Sequence, residues 1–289
     1  MKLNKNINVH YPHDEMNTFL LPVTLGCSHN KCIFCSMYKD EPYSIVPIEE
    51  IKMQLLNGNL YTEKVFLTGA DPLSIGFDRV LQILTLIKKH LPYCARVASY
   101  GSIRSVLNYS VEELSILHNE GLRLLYIGFE TGRDDILKTI KKGHTLKDAM
   151  KGASNLNKAN LMFNSIIIYG IGGRGESISN ALATSKMINH FQTNAIITMN
   201  LTIFEGTKLS EMVKEGTFIP PSKSERLLEI RTLLENLKPK KRTIFDTTHP
   251  TNIIKFKGYL PEDKNKLLNI LRKSNKELWS QSMRIIIIN

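Results

Sequence analysis

Between residues 18 and 216, segments with two different spacings of apolar residues alternate along the chain. Short apolar runs that end at a glycine or a polar residue predict strands, and runs with apolar residues three or four apart predict helices. The predicted strands are 18–26, 64–69, 96–101, 122–130, 161–173 and 194–204. The predicted helices are 47–58, 77–92, 110–121, 133–141 followed by 146–159, 176–190 and 206–216.

These segments form six successive strand–helix units. The helix at 110–121 illustrates the local signals, because Ser110 and Glu113 form a capping-box pattern and Gly121 marks its end. Such alternation predicts parallel strands joined by right-handed crossovers. Periodicity alone fits a doubly wound sheet and a partial or full (β/α) barrel equally well. In either architecture, we expect the chemistry at the carboxyl ends of the strands.

The pattern changes after the two prolines at 220–221. Residues 222–237 predict a helix, 238–242 a basic linker and 245–258 an irregular segment. A further helix is predicted over 261–279, with Pro261 placed to begin it. The closing sequence RIIIIN predicts an edge strand or a docking segment.

Composition narrows the class of protein. The chain has 289 residues, of which 42% are apolar and 22% charged, enough for a sizeable core and unlike a wholly disordered chain. No apolar run approaches the roughly 20 residues of a membrane span, and the amino-terminal segment lacks the apolar stretch of a secretory signal. We therefore expect a cytoplasmic protein that does not enter a membrane.

Positive charge is concentrated near the carboxyl end. The net charge is +11, and residues 221–289 carry 15 Lys and Arg against 7 Asp and Glu, a net charge of +8. This excess is typical either of a solvated lysine-rich surface or of a surface for a partner that carries phosphate or carboxylate.

Three of the four cysteines lie within nine residues, in the segment LGCSHNKCIFCSMYK at 25–39. Cys27, Cys32 and Cys35 follow the first predicted strand, whereas Cys94 lies in a later helix–strand connection. Structural zinc sites and [4Fe–4S] clusters both normally take four protein ligands. Three close cysteines therefore suggest a metal site with one open position, where a substrate or cofactor binds. By spacing alone, an iron–sulfur cluster, a zinc site and coincidence all remain open.

The same segment resembles the cluster loop of the radical S-adenosylmethionine (SAM) superfamily. In that family an aromatic residue precedes the third cysteine, as Phe34 does here. The first gap here is four residues rather than the usual three, a spacing similar to that of proteins related to the Elongator catalytic subunit. The resemblance implies that Cys27, Cys32 and Cys35 hold one [4Fe–4S] cluster whose fourth iron binds SAM.

Two further turns resemble the SAM-binding segments of the family. After the second strand, TGADPL at 68–73 is similar to a Gly-Gly-Glu-Pro turn that accepts hydrogen bonds from the SAM ammonium, with Asp in place of Glu. After the fourth strand, IGFETG and the downstream KKGHT are similar to a second SAM-binding segment. The resemblance implies that the residues in these turns that contact SAM are Gly69, Ala70, Asp71, Glu130 and Lys142.

Two other strand ends complete the predicted cofactor site. Arg104, in YGSIRS after the third strand, is a candidate for binding an anion of the substrate or of SAM. Gly170 and Gly172, in the glycine turn after the fifth strand, are expected to allow close approach to adenine. Residues 245–268 also resemble a family segment through His249, Asn252, Gly258, Leu260 and Pro261, with no role implied.

The resemblance covers about residues 18–216. It implies an α/β fold, a partial (β/α)6 TIM-type barrel with a C-terminal helical extension, divided into a radical SAM core at 1–217 and a basic extension at 218–289. The implied function is reductive cleavage of SAM to a 5′-deoxyadenosyl radical that abstracts hydrogen from a substrate. The implied partners are a reductant such as flavodoxin or ferredoxin and an unidentified substrate, with an anionic small molecule and RNA as candidates.

Two other classes remain as alternatives. A zinc- or iron–sulfur-containing nucleic-acid-binding protein would account for the cysteines and the basic charge. A barrel enzyme that uses Glu130 or Asp71 for acid–base chemistry would leave the cysteine loop unexplained. Within the superfamily, with Cys94 as the one remaining cysteine, this chain cannot hold a second cluster bound by its own cysteines alone. A role similar to that of coproporphyrinogen dehydrogenase and a role in RNA modification both stay open.

Overall fold

A computed structural model describes residues 10–273. Its first half contains β1 (Phe19–Pro22), β2 (Thr24–Leu25), β3 (Ser44–Ile45), α1 (Ile48–Leu56), β4 (Lys64–Thr68), α2 (Phe77–His90), β5 (Arg96–Gly101), α3 (Ile103–Val106), α4 (Val111–Asn119) and β6 (Leu122–Glu130). Its second half contains α5 (Asp134–Thr139), α6 (Leu146–Lys158), β7 (Met162–Tyr169), α7 (Ser177–Ile188), β8 (Ala195–Asn200), α8 (Lys208–Lys214), α9 (Lys223–Asn236), β9 (Thr243–Asp246), β10 (Lys257–Leu260) and α10 (264–273).

One compact unit contains residues 10–127 and 151–163. In this unit β1 pairs with β4, β4 with β5, and β5 with the first part of β6, all in parallel. Side chains on both faces of these strands are buried, including Leu21, Phe66 and Leu67. Parallel strands have this apolar character because their crossover helices cover the sheet. Because the strands are parallel, their carboxyl ends lie along one edge.

The second compact unit contains residues 128–150 and 164–273. In this unit β7 pairs in parallel with β8, and β8 pairs in parallel with β9. The last strand, β10, is antiparallel to β9. Helix α9 packs against α7. The predicted division between residues 217 and 218 stays a prediction.

The six predicted strand–helix units are present in chain order, which confirms the α/β class. Ser110 and Glu113 form the predicted capping box of α4, in which each side chain bonds the other residue's backbone N–H. The predicted irregular segment 245–258 is wrong at both ends, because β9 and β10 enter it. These strands have only four residues each, and their pairing with each other and with β8 supplies the order that their sequence does not signal.

Within residues 10–273, no helix combines the length and the apolar composition needed to span a bilayer. The predicted segment RIIIIN and the last residues of the predicted helix 261–279 lie outside the described residues.

Candidate functional site

The three clustered cysteines lie on one loop, residues 26–43, that is closed at its base. The short strands β2 and β3 pair in antiparallel fashion there, with Thr24 opposite Ile45. Gly26 begins the loop with a φ of +64°, and a Cβ atom at this position would lie 2.6 Å from the carbonyl oxygen of Glu41. Only glycine therefore fits where the two ends of the loop meet.

Hydrogen bonds inside the loop fix the backbone around the first cysteine. The backbone N–H of Asn30 donates to the Sγ atom of Cys27 over 3.3 Å, and the Asn30 side-chain amide donates to the carbonyl of Tyr38 over 3.2 Å. Burial raises the pKa of Tyr38 to about 12, and the nearby thiols of Cys27 and Cys35 contribute to the rise. N–H groups that donate to sulfur are a recurrent feature of iron–sulfur sites.

The thiol set fits a four-iron cluster with one open iron. All three loop cysteines are partly exposed. The backbone N–H of Cys35 donates to the carbonyl of Cys32 in a turn that contains the half-buried Phe34. In contrast, burial raises the pKa of the Cys94 thiol, which donates to the carbonyl of Arg96 over 3.6 Å. Cys94 is partly exposed, as the loop cysteines are, but it lies outside their loop.

No three His, Cys, Asp or Glu side chains within residues 10–273 converge closely enough to hold a single metal ion. A [4Fe–4S] cluster has a different requirement, because each cysteine thiolate binds a different iron atom.

The turn after β4 occupies the same strand edge as this loop. Gly69 has a φ of +124°, and a Cβ atom there would lie 2.1 Å from the Oγ1 atom of Thr24. The Thr24 hydroxyl is buried and has no hydrogen-bond partner in the described part of the chain. A larger residue at position 69 would displace this hydroxyl. Ala70, the next residue of the turn, is half-buried.

The carboxylate of Asp71 accepts hydrogen bonds from other residues of the first unit. One oxygen accepts the backbone N–H of Ser102 over 3.2 Å, and the other accepts the hydroxyls of Ser102 and Ser105, each over 2.6 Å. Burial raises the pKa of Asp71, while these hydrogen bonds oppose the rise. Asp71 therefore joins the end of β4 to the amino end of α3. Arg104 is exposed on the single turn of α3.

Glu130 and Lys142, each predicted to contact SAM, form an ion pair with each other in the second unit. The Lys142 Nζ atom donates to the Glu130 Oε1 atom over 2.5 Å. The side chain of Lys142 is 17% exposed and that of Glu130 is 6% exposed. The Glu130 Oε2 atom is buried without a hydrogen-bond partner among the described residues. A buried carboxylate oxygen of this kind calls for a donor, and the ammonium or hydroxyl groups of a bound cofactor would supply one.

Gly128 makes room for this ion pair and is not among the residues predicted from the sequence. A Cβ atom at position 128 would lie 2.2 Å from the Glu130 Oε1 atom and 2.7 Å from the Lys142 Nζ atom. The signal was present in the Gly-x-Glu spacing of IGFETG.

The glycine turn after β7 is held by a residue from the C-terminal part of the chain. Gly170 has a φ of +85°, and its N–H donates to the Oε2 atom of Glu229 over 2.9 Å. At Gly172 a Cβ atom would lie 3.0 Å from the Cβ atom of Glu176. Sequence reasoning missed Glu229, whose one signal is a carboxylate among the apolar residues of α9.

The tail motif also acquires a role from its position. The side-chain amide of Asn252 donates to the carbonyl of Thr198 over 2.6 Å and to that of Thr247 over 2.9 Å. It therefore joins the loop after β9 to the carboxyl half of β8. A Cβ atom at Gly258 would lie 3.0 Å from Asp263, which explains a glycine there. The motif supports the carboxyl end of β8.

The basic linker 238–242 lies at the opposite edge. It directly precedes β9, which runs parallel to β8, so the linker lies at the amino ends of these strands. Lys240 donates to the carbonyl of His190, and Arg242 stacks on the ring of Tyr259 at 3.5 Å. This position does not support the linker as part of a site at the carboxyl ends.

Comparison with known proteins identifies relatives of the chain. The family model described as the radical SAM superfamily matches residues 21–185. The heme chaperone HemW of Bacillus subtilis is 23% identical over 207 residues, which make up 69% of this chain and 52% of HemW. The chain thus spans about half the length of that curated relative.

Solved structures show a similar fold. Coproporphyrinogen III oxidase (HemN) of Escherichia coli superposes with a TM-score of 0.55 and 12% identity, over 75% of this chain and 51% of HemN. Elp3 of the archaeon Methanocaldococcus infernus superposes with a TM-score of 0.53 and 16% identity, over 90% of this chain and 63% of Elp3. These likenesses confirm the predicted α/β class of the partial (β/α)6 barrel type.

Proposed function

Since this chain belongs to the radical SAM superfamily, we propose that Cys27, Cys32 and Cys35 hold the [4Fe–4S] cluster at which it cleaves SAM. Family membership makes the chain an enzyme of SAM-dependent radical chemistry, with a [4Fe–4S] cluster and SAM as cofactors. The observation that carries the ligand assignment is the closed loop 26–43, which presents three partly exposed cysteines and a backbone donor to one of their sulfurs.

With both cofactors bound, one electron from an external reductant would break the sulfonium C5′–S bond to give methionine and a 5′-deoxyadenosyl radical, which takes a hydrogen atom from the substrate. The partly exposed cysteine loop supports electron delivery by a protein such as flavodoxin or ferredoxin. The cysteine loop would thus supply both the site of electron entry and the ligands of the cluster.

Residues of two turns in the second unit are proposed to contact SAM. Glu130 offers a buried carboxylate oxygen without a partner, and Lys142 fixes the other oxygen of the same carboxylate. Gly170 and Gly172 leave two positions of the turn after β7 without a side chain, as a close approach to adenine requires.

The turn after β4 is a further proposed SAM contact, taken by itself. The backbone of Gly69 and Ala70 is proposed to accept hydrogen bonds from SAM, while Asp71 holds this turn through Ser102 and Ser105. Its carboxylate thus acts through the shape of the turn. Arg104 is exposed and stays a candidate for binding an anion.

The net charge of +11 supports an anionic substrate, either a small molecule or RNA. The nucleic-acid-binding alternative is no longer needed, because membership of an enzyme family accounts for the cysteine loop.

The test is anaerobic reconstitution with iron and sulfide, followed by incubation with SAM and dithionite. We expect a brown protein with absorption near ~400 nm and formation of 5′-deoxyadenosine. Cys94→Ala serves as the matched control, since it removes a thiol outside the loop. A colourless protein, or a reduced cluster that leaves SAM intact, would contradict the proposal.

A further inference from the structure

Helix α9 lies outside the residues matched by the family model, yet its charged side chains reach the carboxyl ends of β7 and β8. Glu229 is 3% exposed. Its Oε2 atom accepts the backbone N–H of Gly170 over 2.9 Å, and its Oε1 atom accepts the side-chain amide of Asn180 over 2.6 Å. A carboxylate buried in this way is stable only because both oxygens are hydrogen-bonded.

The glycine turn is held at its other end by the same helix. The Oε1 atom of Glu225 accepts the backbone N–H of Gly175 over 2.7 Å. Arg174 donates its own backbone N–H to the carbonyl of Ile219 over 2.8 Å. The backbone of residues 170–175 is therefore fixed from outside rather than by its own hydrogen bonds alone.

Arg226, one turn before Glu229, fixes the neighbouring strand end. Its guanidinium donates to the carbonyl of Leu201 over 2.8 Å and to the side-chain oxygen of Asn200 over 2.5 Å. The two side chains are three residues apart and so lie on one face of α9. One face of this helix thus sets both strand ends.

A hydrogen-bonded chain continues from Glu229 toward the predicted SAM contact. The Oδ1 atom of Asn180 accepts the hydroxyl of Thr131, which directly follows Glu130 in the sequence. Glu229 is therefore linked to the backbone beside Glu130 through one amide and one hydroxyl. Gly170 and Glu130 are both residues that we assign to SAM.

We propose that Glu229 is a positioning residue for SAM, whose ionised carboxylate holds the Gly170 turn and, through Asn180 and Thr131, the backbone next to Glu130 in the geometry that binds SAM. This inference rests on the proposed function. Protonation of Glu229 weakens its hydrogen bonds, because N–H donors bind an ionised acceptor more strongly than a neutral one.

The surroundings of Glu229 indicate that its carboxyl group changes protonation state near pH 7. Burial raises the pKa of Glu229 to about 7, opposed by its hydrogen bonds with Asn180 and Gly170, the nearby Ser177 hydroxyl and the charge of Arg226. Tyr169, at the end of β7, is a further titratable group whose pKa responds to the charge of Glu229. Burial raises the pKa of Tyr169 to about 12, so it stays neutral near pH 7.

The experiment is calorimetric titration of SAM into anaerobically reconstituted holoprotein at pH 6, 7 and 8. If only the ionised form of Glu229 is competent, about one tenth of the protein is competent at pH 6, and the Kd for SAM rises about tenfold between pH 8 and pH 6. In Glu229→Gln the Kd should be independent of pH, since the amide still offers an acceptor but does not titrate. Glu235→Gln is the matched control on the same helix and should behave as the wild type.

A second variant keeps the inference testable if Glu229→Gln fails to assemble its cluster. Asn180→Leu removes a donor to Glu229, so the pKa of that carboxyl rises and the midpoint of the pH profile moves upward. If the wild type and both variants bind SAM with the same pH dependence, this inference is refuted while the proposed function stands. A wild type that binds no SAM at any pH would refute the proposed function itself.

Discussion

Replacement of Lys142 by methionine tests the buried ion pair most directly. Methionine keeps most of the aliphatic stem and removes the ammonium group. The Glu130 carboxylate then loses its one hydrogen-bonded partner among the described residues, while its Oε2 atom already has none. Glu130 is left as an uncompensated charge in a site where its side chain is only 6% exposed.

The cost follows from the burial of the pair. Removing one partner of a buried ion pair costs about 3–5 kcal/mol. Lys142 keeps 17% of its side-chain exposure, so water screens the pair in part, and we expect the lower end, about 3 kcal/mol. For a chain of this size, such a loss lowers the thermal midpoint by roughly 6–12 °C.

The assay is thermal unfolding of Lys142→Met, Glu130→Gln and the double variant, without SAM. The double variant should recover much of the loss, because it removes the charge that Lys142→Met leaves buried. Lys208→Met, from an ion pair whose two side chains are each 55% exposed, is the control and should leave the midpoint unchanged. If Lys142→Met shifts the midpoint no more than this control, or if the double variant is no better than Lys142→Met, the reasoning is refuted.

Three further predictions follow from the same structure. Iron content after reconstitution should fall in each variant that lacks one loop cysteine, namely Cys27→Ala, Cys32→Ala and Cys35→Ala. Cys94→Ala should retain its iron. Asp71→Asn should keep SAM affinity because its amide oxygen still accepts the Ser102 N–H, whereas Asp71→Ala should lower it; equal affinity in both would show that the turn does not need this side chain. The raised pKa of Glu229 means that its burial favours the protonated form, so the wild type loses stability as pH rises from 4.5 to about 7. Glu229→Gln should therefore gain about 3 kcal/mol relative to the wild type between pH 4.5 and pH 8, and a difference in unfolding free energy that does not change with pH would contradict this.

The cysteine loop was predictable because its signal is local. The spacing of Cys27, Cys32 and Cys35 is a property of nine consecutive residues, and the structure places all three on one loop. Glu130 and Lys142 were also selected together, twelve residues apart, and the structure pairs them. Their ion pair needed the structure, since nothing in the sequence says that Lys142 turns toward Glu130 rather than toward solvent.

Two other features could be interpreted only with the structure. The basic linker 238–242 was conspicuous as a charge cluster, but the direction of β9 places it at the amino edge of its strands. The resemblance implies a contact with SAM for Asp71, which stays a prediction, and the structure adds that its carboxylate accepts hydrogen bonds from Ser102 and Ser105. Charge and residue type do not reveal which edge of a sheet a loop reaches or which donors surround a carboxylate.

The sequence alone determined the alternation of strands and helices, the glycine turns and the cysteine spacing, because each depends on neighbours a few residues away. Only the tertiary structure decided which distant side chains complete those turns. Glu229 lies 59 residues from Gly170 along the chain, and no local pattern joins them. They meet because α9 packs against α7, and burial then makes a hydrogen-bonded partner obligatory for a carboxylate that would otherwise remain in water.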